Sequence, residues 1–554
     1  MATFHEEKSS LRIDTLRRKE EEEVTKLLAK RYQLPYIDLF QFPIEVGAIK
    51  TVPEESARSA ELAVVQTTGK RITVALHNPE KQEAKNALRH LEEDGYTSDL
   101  YIASKSSLLH AWEFYKKAPE KKITEAGTLE INHERIADLQ TKFTTIQEVK
   151  ERITSTSATR TSEALEMLLA GALAVEASDV HIEPQQNDVR IRFRLDGVLY
   201  DILAIPERLY HLLLSRIKLV SELKLNLHGR AQDGRFTIKT KIVDIEIRTS
   251  TLPGPKGENV VLRILNPKSI QVPFDQLGMQ PWITAIMAKE LDRPNGMILT
   301  TGPTGSGKTT TLYTFLRKIH SPEIKIITIE DPIEYHLAGM EQTQIDAEKG
   351  YDFANGLRSI VRQDPDVILV GEIRDFETAE IAMHAALTGH LVFSTLHTND
   401  AAGTVPRLID LGVKPPIIAP AMNISMAQRL VRKLCEQCRL SAEIKDEERT
   451  AFKKELAAFP QSAPVPDEHE WRIFKIKEGG CSSCHFTGYK GRVGVFEVIL
   501  IDEGIERLIL EQPSEYQIKK EAARQGQISM RQDGILKVLA GMTDFEEIQR
   551  VLGV

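Results

Sequence analysis

Residues 302–310 read Gly-Pro-Thr-Gly-Ser-Gly-Lys-Thr-Thr, and this stretch decides the fold around it. Residues 302–309 match the phosphate-binding pattern G-x-x-x-x-G-K-[ST] at every fixed position. The glycines let backbone N–H groups turn inward around a β-phosphate, and a helix that starts here points its positive end at the anion. An apolar strand, Met297–Thr300, is predicted before the loop and a helix, Thr309–Ile319, after it. This context predicts a nucleoside triphosphate site rather than a chance glycine-rich turn.

Two side chains of the loop have individual predicted roles. Lys308 is predicted to reach the β- and γ-phosphates of the nucleotide, and Thr309 to offer its hydroxyl to Mg²⁺. The predicted nucleotide-binding residues are Gly302, Pro303, Thr304, Gly305, Ser306, Gly307, Lys308, Thr309 and Thr310.

A carboxylate follows a buried strand later in the chain. Residues 364–372 read Asp-Pro-Asp-Val-Ile-Leu-Val-Gly-Glu, in which Val367–Val370 is predicted as a strand. Because such a strand delivers a carboxylate beside the metal of a phosphate-binding loop, Glu372 is predicted to hold Mg²⁺ through water. The usual pattern has an Asp where Gly371 stands, so a solvated Glu after a core strand is the alternative.

Three further carboxylates, Glu330, Asp331 and Glu334, follow the predicted strand Lys325–Ile329. Hydrolysis needs one anion to position or deprotonate the attacking water. Strand ends of a parallel sheet converge at one edge, so these residues are candidates for that role. From spacing alone, solvated turn residues are an equally open interpretation.

Two histidines flank the predicted strand Leu391–Ser394. His390 precedes the strand and His397 follows it. A histidine at a strand end could sense the γ-phosphate by hydrogen bonding, although a lone histidine is more often structural.

Composition narrows the class of protein. The chain has 554 residues, a length typical of three or four domains, and its net charge is −8. An acidic total provides no basic field that would attract nucleic acid. The charged N-terminus has no apolar core, and no stretch reaches the roughly 18 apolar residues of a membrane-spanning helix. We therefore expect a cytoplasmic protein that reaches a membrane only through partners.

The region before the loop divides into two predicted domains and a linker. Residues 1–118 alternate helices with the strands Arg71–Leu76 and Thr97–Ile102, which is typical of a small α/β domain. Residues 119–158 are polar and are predicted to be a linker. Residues 159–267 mix the helices Ser162–Glu176 and Glu207–Leu223 with five strands, which favours an α+β domain. Those strands are predicted at Val189–Arg194, Val198–Leu203, Arg235–Lys239, Ile242–Thr249 and Asn259–Ile264.

Residues 268–554 are predicted to form the α/β domain that holds the loop. Its strands are short and almost continuously apolar, as a sheet covered on both faces requires. Within this domain, residues 430–490 approximately bound a subdomain that carries every cysteine of the chain.

The four cysteines occur as two C-x-x-C pairs separated by 42 residues. Two tight pairs of thiolates suit a tetrahedral Zn²⁺ ion, and four protein ligands leave no open position for catalysis. The predicted ligands of this structural zinc are Cys435, Cys438, Cys481 and Cys484. A redox pair is the alternative. The nearby basic residues Arg429, Arg432, Lys433 and Arg439 are predicted to form a solvated face.

Several segments together resemble one family. GPTGSGKTT, IEDPIE, RQDPDVILVGEIRD and TGHLVFSTLHTNDA occur in this order and resemble the Walker A, Asp box, Walker B and His box of the secretion ATPase superfamily. Within it, the chain is most similar to the GspE/PilB group, which powers type II secretion and type IV pilus assembly. SDVHIEP, RFRLDGVL, AQDGR and STLPGPKGENVVLRIL are similar to that group's second domain, and LPYIDL and VPEESAR to its first.

The resemblance implies a fold and a role for individual residues. The expected fold is a RecA-like P-loop ATPase domain with a zinc-binding insert, preceded by an α+β, PAS-like domain and a small N-terminal α/β domain. Glu334 becomes the candidate for activating water, Glu330 is expected close to the nucleotide, and Glu372 takes the Walker B role. His397 is expected to sense or align the γ-phosphate.

Arginines are the remaining implied catalytic groups. Such motors are hexamers whose nucleotide sites lie between two domains, so arginines of the second domain act as charge-stabilising fingers. Arg194 and Arg235 are the leading candidates, although each is as open to being a structural ion pair. The further candidates are Arg192, Arg230, Arg358 and Arg362.

The resemblance thus implies a homo-hexameric ATPase that assembles a pilus or a secretion pseudopilus. Its partner is an inner-membrane platform protein, its place is the inner face of the bacterial cytoplasmic membrane, and no direct nucleic-acid partner is expected. The cysteine insert and the N-terminal domain favour assembly over retraction of pili. Two alternatives stay open, a RecA-like DNA-translocating motor and a nucleotide-gated scaffold with little hydrolysis.

Overall fold

The computed structural model describes residues 20–42, 44–68, 71–93, 95–117, 128–130, 161–239, 243–457 and 467–553, with the single positions 18, 148, 150 and 459. The chain forms two compact units that divide between Thr124 and Glu125. Most of the predicted linker, residues 119–158, lies outside the described residues. The domain boundaries placed at residues 118, 158 and 267 stay predictions.

The first unit contains a three-stranded sheet with β1 (Leu62–Thr68), β2 (Arg71–Leu76) and β3 (Thr97–Ile102) in that order. β1 runs antiparallel to β2, and β2 runs parallel to β3. Sequence alternation predicted β2 and β3 but not β1, whose first four residues are all buried and therefore show no alternation. The helices of this unit cover residues 20–32, Val46–Ile49, Glu54–Ser59, Gln82–Glu93 and Lys105–Lys117.

The second unit begins with a seven-stranded sheet whose spatial order is β4-β8-β9-β10-β5-β6-β7. The short β4 pairs in parallel with β8, and the other neighbours are antiparallel. Helices Thr161–Ala174 and Glu207–Val220 share one hydrophobic core with the sheet. The strands are β4 (Thr128–Glu130), β5 (Asp179–Pro184), β6 (Val189–Leu195), β7 (Val198–Ile205), β8 (Gln232–Lys239), β9 (Ile245–Gly254) and β10 (Gly257–Leu265).

This region confirms the predicted α+β mixture and adds two strands, β4 and β5. β4 lies within residues 119–158, which were predicted to be a linker. β5 was not predicted, because its polar residues Asp179 and Glu183 interrupt the apolar pattern. The predicted start of β9 at Ile242 lies outside the described residues, and the observed strand extends to Gly254.

The rest of the second unit surrounds another seven-stranded sheet, with the order β13-β12-β14-β15-β11-β16-β19. All neighbours are parallel except β19, which runs antiparallel to β16 at one edge. β17 and β18 form a separate pair. The strands are β11 (Gly296–Thr301), β12 (Ile326–Glu330), β13 (Glu341–Gln344), β14 (Val367–Val370), β15 (Leu391–Leu396), β16 (Met422–Leu434), β17 (Leu440–Ala442), β18 (Ile473–Lys475) and β19 (Tyr489–Leu500).

Helices cover both faces of this sheet, and a hydrophobic core lies on each side. β11, β12, β14 and β15 are buried along their whole length, which explains their nearly unbroken apolar sequences. The α-helices are Pro281–Leu291, Lys308–Ile319, Phe353–Val361, Phe376–Leu387, Thr404–Asp410, Pro415–Ala421, Asp446–Ala457, Glu503–Leu510, Glu515–Arg524, Met530–Leu539 and Phe545–Leu552.

The predicted α/β fold class is confirmed, and its four predicted parallel strands are present. Among the helices that the structure describes, none combines the length and the apolar character needed to cross a bilayer.

Candidate nucleotide site and metal centre

The glycine-rich loop connects the end of β11 to the helix Lys308–Ile319. Gly302, Gly305 and Gly307 have φ values of +148°, +80° and +91°, which L-residues rarely adopt. A Cβ atom on Gly302 would lie 2.6 Å from the carbonyl oxygen of Gln428. The loop therefore needs glycine for its backbone conformation and, at Gly302, for close packing against β16.

Gly307 caps the helix without a side chain, so no side chain bonds to the N–H groups of the first turn. These donors and the helix dipole favour an anion at this position. The Ser306 hydroxyl is buried beside them and has no hydrogen-bond partner within the described residues. A phosphate group supplies the acceptors that this arrangement lacks.

Lys308 is folded back onto its own loop. Its Nζ donates to the carbonyl oxygens of Gly302 at 2.7 Å and Pro303 at 3.1 Å. Burial lowers the pKa of Lys308, the charge of Arg429 lowers it further, and Glu372 opposes both. The charge of Glu372 acts on Lys308, and the side chain of Thr309, the next residue, is exposed. A hydroxyl and a carboxylate are oxygen donors of the kind that Mg²⁺ prefers.

Arg429 lies directly behind the loop. Its guanidinium donates to the carbonyl oxygens of Gln428 at 2.9 Å and Asn399 at 2.8 Å. The contact joins the end of the His box to β16, beneath Gly302. Burial lowers the pKa of Arg429, with partial compensation by Glu497 and Asp400.

The prediction of a solvated basic face is wrong for three of its four residues. Arg429 packs behind the loop as described above. The Arg432 side chain is only 13% exposed and forms a 2.8 Å ion pair with buried Glu547. Arg439 stacks over Phe474, with 4.6 Å between its Cζ atom and the ring centroid. The sequence pattern missed these contacts because their partners lie far away along the chain.

Glu372 and His397 meet at the carboxyl ends of neighbouring strands β14 and β15. His397 Nε2 lies 3.4 Å from Glu372 Oε2, and Arg374 Nη2 lies 2.5 Å from the other carboxylate oxygen. His390, by contrast, bonds through Nδ1 to the carbonyl oxygen of Ala385 at 3.0 Å, at the start of β15. Only one of the two flanking histidines therefore lies beside a predicted catalytic carboxylate.

The carboxylates after β12 have different environments. Glu330 is buried and accepts hydrogen bonds from Tyr313, from Thr328 at 2.6 Å and from Gln342 at 3.2 Å. These three donors give Glu330 a structural role at the strand end. Glu334 is half-buried and therefore more available to a reacting group.

Glu334 is held by an arginine that the sequence analysis did not select. Arg248 Nη1 lies 3.0 Å from Glu334 Oε2, and its Nη2 donates to the carbonyl oxygen of Ile333 at 2.5 Å. Arg248 belongs to β9, on which Ile245, Ile247 and Thr249 point into the core. This alternation places Arg248 on the opposite face, and it is the one sequence signal that could have identified it.

The selected arginines have other contacts. Arg192 pairs with Glu183 at 2.5 Å, and Arg194 pairs with Asp179 at 3.3 Å, both within the sheet of their own domain. Arg235 is exposed and lies opposite Arg248 across the β8–β9 ladder. Their finger roles stay predictions. The remaining candidates are exposed Arg230, Arg358 paired with Glu377, and Arg362 bonded to Ser359.

The four cysteines form one compact cluster. Three of the Sγ–Sγ distances, Cys435–Cys481, Cys438–Cys484 and Cys481–Cys484, are 3.8 Å each. All four sulfurs lie within 4.8 Å of one another. Zn–S bonds of about 2.3 Å in a tetrahedron give sulfur separations of about 3.8 Å, whereas a disulfide needs about 2.05 Å. The cluster thus has the dimensions of a closed four-coordinate metal site.

Two family models match most of this chain. The family model described as type II/IV secretion system protein matches residues 155–550, and the MshEN domain matches residues 32–120. The type IV pilus assembly ATPase PilB of Myxococcus xanthus is 37% identical over 556 residues, which covers 99% of this chain and 94% of that protein. Type II secretion system protein E of Aeromonas hydrophila is 45% identical over 384 residues, or 69% and 74% of the two chains.

One solved structure supports the fold alone. The X-ray structure of the ATPase DotB from Yersinia pseudotuberculosis is 20% identical and has a TM-score of 0.51. The match covers 70% of this chain and 93% of that chain. The two proteins therefore share a fold over the matched part of the chain.

Proposed function

Because this chain belongs to the type II/IV secretion system protein family and is an ATPase of that family, we propose that it is the assembly motor of a pilus or pseudopilus. It hydrolyses ATP to drive assembly of a type IV pilus or of a type II secretion pseudopilus. Its two reported relatives are named for these two systems. It works as a homo-hexamer at the inner face of the cytoplasmic membrane, where it acts on an inner-membrane platform protein.

The observation that supports the proposal is that four residues proposed to act in hydrolysis follow neighbouring strands at one edge of the sheet. Lys308, Glu372 and His397 follow the parallel strands β11, β14 and β15, and the chain between β12 and β13 adds Glu334. A site for nucleotide binding alone needs the loop and a metal ligand. It does not need a second carboxylate on the γ-phosphate side.

The side-chain contacts of the nucleotide-free loop support a mode of ATP binding. Lys308 exchanges the two loop carbonyl oxygens for phosphate oxygens, and the N–H groups of the helix start bind the β-phosphate. Thr309 and Glu372 are the residues that would hold Mg²⁺, which neutralises phosphate charge when bound. His397 and Arg374 fix the orientation of Glu372 through its two oxygens.

Glu334 is the group that accepts a proton from the attacking water. Arg248 holds the Glu334 carboxylate from the preceding domain. Its positive charge would also stabilise negative charge that develops beside that carboxylate during hydrolysis. Arg194 and Arg235 are proposed as further charge-stabilising arginines. Since both currently face partners or solvent of their own domain, they require domain movement or a neighbouring subunit.

The cysteine cluster is proposed to hold Zn²⁺ in a structural role. All four ligands come from this chain, and backbone N–H groups of Cys481 and Gly488 donate to Cys484 Sγ at 3.2 and 3.3 Å. Such bonds stabilise a thiolate. No position is left open for a reacting molecule.

Two variants test the proposal. We expect Lys308→Ala to abolish steady-state ATP turnover and to weaken ATP binding, because the loop loses its phosphate-binding cation. Glu334→Gln should retain ATP binding and lose turnover by at least about a hundredfold, as expected for loss of a general base. Thermal unfolding of nucleotide-free protein controls for folding. Normal turnover by Lys308→Ala would contradict the ATPase assignment.

Assembly is tested by complementation of a bacterial strain that lacks this protein. The wild-type chain should restore surface pili or secretion, and Glu334→Gln should restore neither. Full restoration by Glu334→Gln would contradict the motor function. Stimulation of ATP turnover by single-stranded DNA would instead support a DNA-translocating motor.

A further inference from the structure

The domain formed by residues 161–265 touches the rest of its unit at a second place besides Arg248 and Glu334. There, the amide N–H of Gly491 donates to Asp196 Oδ2 at 2.9 Å. Arg432 Nη1 donates to the Tyr200 hydroxyl at 3.3 Å. Gly491 follows the second cysteine pair by seven residues, so this second contact lies against the metal centre.

On one side of the contact stands a rigid turn. Asp196 and Gly197 connect β6 to β7, with Leu195 paired to Val198, and their φ values are +48° and +87°. Positive φ at both central residues defines the tight type I′ hairpin, for which Asp-Gly is a preferred sequence. The turn therefore presents the Asp196 carboxylate in one fixed direction.

On the other side, the metal ligands organise the chain that leads to Gly491. Gly488 donates to Cys484 Sγ at 3.3 Å, and its carbonyl oxygen accepts from Cys435 N at 3.0 Å. Thr487 Oγ1 lies 2.7 Å from the carbonyl oxygen of Cys484. Because both cysteine pairs take part, the position of this segment depends on the cluster remaining closed.

Arg432 connects the same segment to the C-terminal helices. Its guanidinium stacks on Tyr489 at 3.9 Å from the ring centroid and pairs with Glu547, which is fully buried. The cavity between the two sides has a volume of about 30 Å³ and is lined by Cys484, Asp196 and Tyr200, among others. This space admits little more than one water molecule, so the contact is closely packed.

We propose that the tetracysteine centre positions the 161–265 domain for catalysis, with Asp196 and Tyr200 as positioning residues. The domain is attached at one end to the metal-organised segment and at the other end to Glu334 through Arg248. A displacement of the first attachment shifts the second, because one hydrogen-bonded sheet contains Tyr200 and Arg248, and Asp196 lies in the turn between two of its strands. The metal thereby influences ATP hydrolysis without touching the nucleotide. This inference rests on the proposed ATPase site and on zinc binding.

The test uses Asp196→Gly, which removes the carboxylate and suits the positive φ of the turn. Tyr200→Phe removes only the hydroxyl. Asp196→Asn is the conservative variant, since its amide oxygen can still accept from Gly491. Asp201→Ala is the matched control, because Asp201 lies on the same hairpin, its side chain is 68% exposed, and its ion pair, 3.9 Å from Arg190, stays within the same sheet.

We expect Asp196→Gly with Tyr200→Phe to keep full zinc content and a melting temperature close to that of the wild type. The kcat for ATP should fall about five- to tenfold with KM nearly unchanged, because misplaced catalytic groups lower the rate of the bound complex. Asp196→Asn should recover most of the rate, and Asp201→Ala should match the wild type. Amide hydrogen exchange at Gly491 should accelerate in the double variant and after zinc removal from the wild type.

The decisive comparison is a cycle of zinc removal and mutation. If both act through the same contact, chelation of zinc should lower kcat in the wild type but add almost nothing in the double variant. Additive losses, or an unchanged kcat in the double variant, would overturn the proposal. If the wild-type chain itself shows no turnover, the proposed function fails, while hydrogen exchange at Gly491 still reports on the docking.

Discussion

Arg248 gives Glu334 a fixed position before any nucleotide is bound. Both side chains are about one quarter to one third exposed, and the guanidinium donates to the carboxylate and to the neighbouring carbonyl group. Its Nε also donates to Glu246 Oε1 at 3.1 Å, and a partly desolvated arginine with three acceptors orients a carboxylate far better than a mobile surface pair does. The conformation of the Arg248 side chain therefore determines whether the proposed general base, Glu334, is correctly oriented.

The contribution of this arginine can be measured by substitution. Arg248→Ala should lower kcat at least about tenfold, as expected for lost transition-state stabilisation. Arg248→Lys should recover only part of the lost kcat, because one ammonium group cannot reproduce the several hydrogen bonds of a planar guanidinium. Steady-state kinetics and ATP affinity provide the measurement. Arg208→Ala, an exposed arginine of the same domain, should leave both values unchanged. An Arg248→Ala protein with wild-type kcat would contradict the assignment.

The lowered pKa of Lys308 predicts a pH dependence of ATP binding. In the nucleotide-free protein, burial of the charged ammonium group of Lys308 costs stability at pH values below its folded pKa. As the pH rises through the folded pKa, the group loses its proton and this cost disappears, so the free energy of unfolding increases over that alkaline range. Bound phosphate raises the pKa again, so ATP binding takes up a proton there. ATP affinity should therefore fall with rising pH, by up to about tenfold per unit.

This dependence should be measured with Glu334→Gln, which prevents hydrolysis during titration. A Lys308→Arg version of that variant is the matched control, since arginine stays charged throughout the range. Its ATP affinity should be nearly independent of pH. A pH profile shared by both proteins would assign the titration to another group.

At the scale of elements, the loop works because strand β11, the turn and the helix Lys308–Ile319 are packed against β16. A Cβ atom on Gly307 would lie 2.8 Å from Gln428 Nε2 and 3.2 Å from Leu430. One on Gly305 would meet nothing within 4 Å. The two glycines thus have the same kind of backbone and different surroundings.

This difference predicts unequal effects of two equal substitutions. Gly305→Ala should lower the free energy of unfolding by about 1–2 kcal/mol, the cost of a side chain in the left-handed region. Gly307→Ala should cost more, because Gln428 must also move away from the loop. Chemical denaturation of the nucleotide-free protein measures both values. Equal destabilisation would show that packing against β16 contributes nothing.

Elements with one clear sequence signal could be predicted, and elements that depend on packing could not. β11, β14 and β15 are apolar because both faces are buried, and the sequence analysis identified each of them. β5 was not predicted, because it contains the buried carboxylate of Asp179, which forms ion pairs with Arg194 and Arg263. No periodicity reveals a buried carboxylate whose partners come from neighbouring strands.

For the whole molecule, sequence-based prediction missed the contacts between residues that are far apart along the chain. Motifs located Lys308, Glu372, His397 and the cysteines, because each motif is local. Arg248 and Glu334 are 86 residues apart, and they meet only because the 161–265 domain docks beside the Asp box. Arg429 and Arg432 were misjudged for the same reason.

The long strand β16, which lies between β11 and β19, has a mechanical consequence. It runs from Met422 to Leu434, which at about 3.3 Å per residue is roughly 40 Å, and it is paired with β19 over most of that length. Arg429 sits on it behind the phosphate loop, Arg432 comes three residues later, and Cys435 follows its end. A hydrogen-bonded ribbon of this kind can tilt, but it cannot shorten. We therefore expect a small displacement of β16 behind the phosphate loop to be transmitted along the strand to the cysteine cluster about 20 Å away.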